Sequence, residues 1–111
     1  MWMTWAFRPG LLDDGSVTVE VEGTPAVSAL LQLAEEVAQH AATGTTVIID
    51  LDRLVLTSPS AMRGFIGHLN HRCRPGGAVL ACRRSTGRQL LRRWAAGSLP
   101  VVAGHAEPAA T

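Results

Sequence analysis

The feature that most restricts the fold of this chain is the run "TTVIIDL" at residues 45–51, which is rich in β-branched residues and apolar on both faces. Such a run is typical of a strand inside a sheet, with a neighbouring strand on each side. Segments with the 3.6-residue spacing of amphipathic helices precede and follow it. We therefore expect an α/β domain with this strand at its centre.

Two segments before this run, "TWAFRPG" and "SVTVEVEG", alternate apolar and polar residues as half-buried strands do. The step "LLDDG" between them is a tight-turn signal. Val17, Val19 and Val21 are expected on the buried face of the second strand. Met3, Trp5 and Phe7 are expected to continue that face in the first strand.

Three helices are predicted from caps and apolar periodicity. The first begins at Thr24–Pro25 and ends at Gly44, the second begins at Ser58, and the third is capped by Ser85 and ends at Gly97. "AVLAC" and "LPVVA" are predicted as short fourth and fifth strands. The predicted order is β-β-α-β-α-β-α-β, a small mixed, mostly parallel sheet with helices packed on it and right-handed crossovers.

Length and composition fit one globular domain. The chain has 111 residues, 47% hydrophobic and 17% charged, which is enough for one core. We assign residues 1–104 to the domain and 105–111 to a disordered tail. No apolar run approaches the roughly 18 residues of a membrane span, and the N-terminus lacks signal-peptide features, which predicts a cytoplasmic protein. Cys73 and Cys82 are expected to be reduced.

The charges are segregated although the formal net charge is only +1. Eight of nine acidic residues lie at or before Asp52, and eight of ten arginines lie between Arg63 and Arg93. A cluster surrounds the third helix: Arg83, Arg84, Arg88, Arg92 and Arg93. A solvated face, an acidic protein partner and a nucleic-acid backbone remain as interpretations. The near-neutral total makes nucleic acid the least favoured of the three.

The turn "TSPS" between the central strand and the second helix is the main candidate site. Ser58 is predicted to cap the helix and Pro59 to occupy its first position. Ser60 lies in the first turn, where free amides and the helix dipole favour a phosphate. Ser60, and after it Ser58, are therefore the phosphorylation candidates.

Other chemical sites receive less support from the sequence. Asp50 with Ser60 would suit a small hydrolase or transferase, but no base is placed near them. His68, His71 and Cys73 do not share one helix face, so no metal site is predicted. Trp2 and Trp5 fall on opposite faces of the first strand, so at least one is expected on the outer face, either exposed as a candidate interface anchor or covered by the C-terminal tail.

Several residues together resemble the STAS domain family, which includes the bacterial anti-sigma-factor antagonists. The resemblance covers about residues 3–103. It rests on an aspartate that closes the central strand, leucines after it, a Ser-rich helix start, a double glycine before strand four, and a last helix that opens at a serine and ends at a glycine. These residues are Asp50-Leu51, Leu54, Leu56, Gly76-Gly77, Ser85 and Gly97.

The resemblance implies a STAS-like single domain that regulates by binding and not by catalysis, with no cofactor. The implied partner is a kinase-type anti-sigma factor or another STAS protein, and a homodimer is possible. In phosphorylatable members of the family, the kinase modifies a hydroxyl at the start of the second helix, and the phosphate abolishes docking. The alternative function is a nucleic-acid-binding module that uses the arginine-rich third helix.

This chain departs from the family's phosphorylation motif. The motif aspartate falls on Ser58, the acceptor on Pro59, the second hydroxyl residue on Ser60 and the glycine on Ala61. Because proline has no hydroxyl, an unswitched, constitutively competent binder is the favoured interpretation. The acidic connection usual after the second strand is also shortened. The predicted docking surface comprises Arg53, Thr57, Ser58, Pro59, Ser60, Ala61 and Arg63.

Overall fold

A computed structural model describes residues 2–9 and 15–104 as a two-layer α/β domain. Its elements follow the predicted order: β1 (Met3–Pro9), β2 (Val17–Gly23), α1 (Val27–Ala41), β3 (Val47–Leu54), α2 (Pro59–Arg72), β4 (Ala78–Ala81), α3 (Ser85–Ala95) and β5 (Val101–Val102). The first four residues of the predicted tight turn, 11–14, and the predicted tail at 105–111 lie outside the described residues.

The strands form one sheet in the order β1-β2-β3-β4-β5. β1 is antiparallel to β2, and every other neighbouring pair is parallel. β3 lies in the middle, as its two apolar faces predicted. Since each crossover joins adjacent parallel strands with the usual right hand, all three helices pack on the same face of the sheet.

The core lies between the sheet and the helices. β-branched and leucine side chains from one face of the central strands meet the apolar stripes of the helices, and these residues are fully buried: Val19, Val21, Val47, Ile49, Leu51, Leu80, Leu30, Leu33, Val37, Met62, Phe65, Leu69 and Leu91. Met3, Trp5 and Phe7 pack against its margin. Glu20 and Glu22 lie exposed on the opposite face. The alternation therefore predicted the buried positions of Val19 and Val21, whereas Val17 is half-buried and its neighbour Thr18 is buried.

The predicted helix starts need two corrections. α1 begins at Val27, two residues later than expected, and its N-cap is Ala26. The N–H of Thr24 donates to the carbonyl of Trp2 at 2.8 Å, so Thr24 extends the β1–β2 ladder instead of capping a helix. Ser85 is the first residue of α3, and the N-cap position is occupied by Arg84.

Other local expectations are confirmed. Cys82 is buried and Cys73 half-buried, and both are free thiols. α3 ends at Ala95 and is followed by left-handed residues at Ala96 and Gly97, in agreement with the predicted glycine stop. Within the described ranges, every helix is too short or too polar to cross a membrane.

Candidate functional site

The turn between β3 and α2 lies at the edge of the sheet where the parallel strands end. α1, α2 and α3 each follow the carboxyl end of a parallel strand, so their first turns share this edge. We call this side of the molecule the carboxyl edge. The helix N-termini converge at this edge, where their free N–H groups and positive dipole ends favour hydrogen-bond acceptors and negative charge.

The start of α2 presents unpaired amides. Ser58 occupies the N-cap position, but its hydroxyl makes no capping hydrogen bond, so that part of the sequence prediction is wrong. Pro59 occupies the first helical position as predicted. The first bond of the helix runs from the N–H of Met62 to the carbonyl of Ser58 at 2.9 Å. The amides of Ser60 and Ala61 precede that bond and have no acceptor within the helix.

The predicted docking residues are open to solvent. Five are exposed, namely Arg53, Thr57, Pro59, Ser60 and Arg63, whereas Ser58 and Ala61 are half-buried. The side chain of Ser60 is therefore more accessible from solvent than that of Ser58. We call Thr57, Ser58, Pro59, Ser60 and Ala61 the elbow.

An apolar groove lies on one side of the elbow, between the first turns of α1 and α2. Its volume is about 160 Å³, and it is lined by Val27, Leu30, Leu31, Ser60, Ala61, Gly64 and Phe65. Val27 is 63% exposed and Leu31 42% exposed, so two apolar side chains one helical turn apart leave surface open beside this groove. We call this feature the α1–α2 groove.

The groove was not predicted from the sequence. Val27 and Leu31 belong to the apolar periodicity of α1, which predicted the helix but not which of its apolar residues stay exposed. They lie at the margin of the apolar stripe, because the buried positions of α1 centre on Leu30, Leu33 and Val37. The one feature of the sequence that indicated the groove was the width of the apolar stripe of α1. A stripe this wide is not covered completely by packing against the sheet.

A second depression lies on the other side of the elbow. It measures about 390 Å³ and is lined by the β3–α2 connection and the first turns of α3, including Arg53, Val55, Thr57, Arg84, Thr86 and Leu90. The elbow is thus a ridge between two hollows. Ser60 and Ala61 face one hollow, and Arg53 and Thr57 face the other.

Carboxylates line a smaller hollow at the ends of β2 and β3. It measures about 190 Å³ and is lined by Glu20, Val21, Glu22, Asp50, Asp52, Arg53 and Arg83. Burial raises the pKa of Asp50, and the nearby Asp52 and Glu20 carboxylates add to that effect, while a hydrogen bond from the Asp52 N–H at 3.0 Å opposes it. Ser60 lines a different hollow, so the hydrolase hypothesis loses its pairing of acid and nucleophile.

Two members of the arginine cluster bind the protein's own backbone. Nη1 of Arg88 donates to the carbonyls of Cys82 at 3.0 Å and Arg83 at 2.6 Å, and Nη2 of Arg92 donates to the carbonyl of Val101 at 3.4 Å. These guanidinium groups help to hold α3 against the ends of β4 and β5. They are therefore less available to an external phosphate backbone than the sequence suggested.

The histidines of α2 are placed differently from one another. His68 binds Glu35 of α1 through Nε2 at 2.5 Å, whereas His71 is exposed. No group of three or more histidine, cysteine, aspartate or glutamate side chains suited to a metal occurs within residues 2–9 and 15–104. Trp2 is 59% exposed, while Trp5 is half-buried and its Nε1 donates to Glu36 at 2.9 Å. The prediction of an exposed tryptophan is therefore confirmed.

Comparison with known proteins gives a fold but no sequence relative. No protein-family model and no curated protein matches the chain. An anti-sigma factor antagonist from Mycobacterium paratuberculosis is similar in structure, with a TM-score of 0.69 and 15% identity over 94% of this chain and 88% of that one. The anti-sigma factor antagonist SpoIIAA in its unphosphorylated form gives 0.57 and 19% identity, over 92% and 91%.

A third similar structure is the Bacillus cell fate determinant SpoIIAA in the phosphorylated form, with a TM-score of 0.54 and 20% identity over 95% of this chain and 97% of that one. At these identities the likeness concerns the fold. The chain has the STAS fold of these proteins, with a five-stranded mixed sheet and three helices, and the predicted fold is confirmed.

Proposed function

We propose that this protein is a non-catalytic regulatory module that binds another protein through the elbow and the two hollows beside it. The observation that supports this most directly is the outward-facing start of α2, where Thr57, Pro59 and Ser60 are exposed. The fold is that of proteins described as anti-sigma factor antagonists. An anti-sigma-factor antagonist, or a diverged relative of one, is the function that fits both facts.

The shape and charge of this surface favour a particular partner chemistry. The α1–α2 groove accepts an apolar side chain, since Val27 and Leu31 leave apolar surface exposed beside it. Arg53 and Arg63 are exposed near the positive end of the α2 dipole. A segment that carries an apolar anchor and adjacent carboxylates would satisfy both features.

The proposed partner is a kinase-type anti-sigma factor, and the unmodified chain is the binding-competent form. Pro59 cannot receive a phosphate, and half-buried Ser58 is poorly accessible. Ser60 is the remaining candidate acceptor. A phosphate there would add about two negative charges to the middle of the surface and oppose the acidic partner.

The binding test uses isothermal titration calorimetry of the full chain with each kinase-type anti-sigma factor encoded in the same genome. We expect one of them to bind. Ser60→Glu should weaken that complex about ten-fold or more, because it places a carboxylate against an acidic segment. Ser60→Ala and Asn70→Asp should bind as the wild type does, since Asn70 is exposed at the opposite end of α2.

Two outcomes would contradict the proposal. Absence of binding to every such factor would remove the antagonist function. Equal weakening by Ser60→Glu and Asn70→Asp would mean that the partner responds to net charge and not to the elbow.

Phosphorylation is tested separately by mass spectrometry of the segment 54–72 after incubation with the bound partner and ATP. Any phosphate on the wild-type chain is expected on Ser60 and at low stoichiometry. The double variant Ser58→Asp, Pro59→Ser restores the aspartate and acceptor of the family motif and should be modified at position 59. Stoichiometric phosphate on wild-type Ser58 would contradict the assignment of accessibility.

A further inference from the structure

The outer edge of β1 is not paired with any other strand of the described residues. β1 is the end strand of the sheet and is seven residues long. Edge strands of monomers usually carry charges, prolines or bulges that prevent pairing with another chain. The register of β1 with β2 runs without a shift, its one charged residue is Arg8, and its proline is the last residue. Most of this edge therefore lacks such protection.

The backbone groups on the free edge can be identified from the ladder. The N–H of Thr24 donates to the carbonyl of Trp2 at 2.8 Å, which marks Trp2 and Thr24 as a hydrogen-bonded pair. Such pairs alternate with non-bonded pairs along an antiparallel ladder. The even-numbered residues of β1 thus bond to β2. The N–H groups of Met3, Trp5 and Phe7 point away from the sheet.

Apolar surface accompanies these free amides. Met3, Trp5 and Phe7 are half-buried and pack against the margin of the core, so part of each side chain stays accessible to solvent. Trp2 is 59% exposed just before the strand. Four large apolar side chains, one exposed and three half-buried, thus accompany the outward-pointing N–H groups of this strand. This combination is typical of a strand that another strand completes.

We propose that two copies of this chain pair through β1, antiparallel about a two-fold axis at Trp5, so that their sheets join into one. Met3 of each copy would exchange hydrogen bonds with Phe7 of the other, and the two Trp5 residues with each other. The ladder then contains about six inter-chain bonds. This surface is separate from the elbow, so the inference does not depend on the proposed function.

The charges and aromatic rings of β1 complement themselves in this register. Trp2 lies opposite Arg8 of the second copy. The Arg8 guanidinium pairs with Glu20 of its own chain at 2.8 Å but is more than half exposed, so its open face can stack on the indole. The two Arg8 residues are six positions apart along the ladder, about 20 Å, so their repulsion is largely screened. The register centred on Trp5 is favoured because it covers Trp2 and brings no like charges together.

Sedimentation velocity of the full chain over a concentration series tests the pairing. We expect a reversible dimer in the wild type. Trp2→Glu and Trp2→Arg both remove the indole, but they place opposite and like charges, respectively, against Arg8 of the second copy. The dimer dissociation constant of Trp2→Arg should exceed that of Trp2→Glu about ten-fold, since each unlike or like pair occurs twice. Thermal denaturation of both variants checks that they fold.

Hydrogen exchange at single-amide resolution provides a second readout. The amides of Met3, Trp5 and Phe7 should gain protection as the protein concentration rises. Those of Thr4, Ala6 and Arg8 should be protected at every concentration, because they bond to β2. A monomer at all concentrations, equal dissociation constants for the two Trp2 variants, or a dimer whose odd-numbered amides stay unprotected would each overturn the proposal.

Discussion

At the scale of single residues, Glu35 joins the two longest helices. Its Oε2 accepts a hydrogen bond from Nε2 of His68 at 2.5 Å, and its Oε1 pairs with Arg72 at 3.0 Å. The hydrogen bond from His68 and the charge of Arg72 lower the pKa of Glu35, although partial desolvation opposes them. A carboxylate with a lowered pKa stabilises the fold above its unfolded pKa and loses that contribution as it is protonated.

Replacement of Glu35 by glutamine should therefore lower the melting temperature at pH 7. The difference from the wild type should shrink as the pH falls below about 4.5, the ordinary pKa of glutamate, because the wild-type carboxylate is then protonated as well. Differential scanning calorimetry from pH 7 to pH 3 measures this. A difference that stays constant over that range would show that the carboxylate charge is not the stabilising feature.

The pKa of Asp50 is shifted in the opposite direction to that of Glu35. Because burial raises the pKa of Asp50, its ionised form costs stability at neutral pH. Asp50→Asn retains an oxygen to accept the Asp52 N–H and removes the charge. We expect this variant to be at least as stable as the wild type at pH 7, with the gain vanishing once the wild-type carboxyl is protonated. A marked loss of stability in urea denaturation at pH 7 would contradict this.

At the scale of elements, the close packing of α3 against the end of β4 depends on a glycine. A Cβ added at Gly87 would lie 2.6 Å from Sγ of Cys82 and 3.4 Å from Cδ1 of Leu56. The first turns of α3 therefore approach the end of β4 more closely than a helix with a side chain at this position could. This approach also positions Arg84 and Thr86 beside the elbow.

Gly87→Ala should destabilise the protein by about 1–2 kcal/mol, because overpacking outweighs the gain in helix propensity of about 1 kcal/mol. Cys82→Ala removes the obstructing sulfur. The double variant should therefore be more stable than the sum of the two single changes predicts, by urea denaturation. Strictly additive effects would mean that the alanine is accommodated by a shift of the whole helix.

At the scale of the whole molecule, the net charge and the hydrogen bonds that arginines make within the chain favour a protein partner over a nucleic acid. The net charge is +1, so the chain as a whole carries little excess positive charge to attract a phosphate backbone. Arg88 and Arg92 both bind carbonyls of the same chain. Val27 and Leu31 in the α1–α2 groove and Trp2 beside β1 are exposed apolar side chains, and such surface favours a protein partner over a phosphate backbone.

We therefore expect no measurable affinity for a generic DNA duplex at physiological salt. Fluorescence anisotropy over a salt series measures it, with Arg88→Gln, Arg92→Gln as the matched variant. Binding that weakens steeply with salt and disappears in the double variant would instead support the nucleic-acid alternative.

The sequence by itself determined the elements and their order. The apolar run of β3, the alternation in β2 and the position of Pro59 at the start of α2 are properties of short segments, and local propensity and periodicity are encoded within such segments. The placement of β3 inside the sheet followed from its two apolar faces. The exposure of Ser60 is consistent with its position in the first turn of an amphipathic helix.

Only the tertiary structure decided which surfaces remain open and which polar groups pair. Thr24 joins the β1 ladder, Val27 and Leu31 border a groove, and Arg88 binds carbonyls across a turn. Each of these depends on where one element packs against another that is distant in sequence. The periodicity of the sequence predicts that one stripe of a helix is apolar. How much of that stripe is buried depends on the width of the element that packs against the helix.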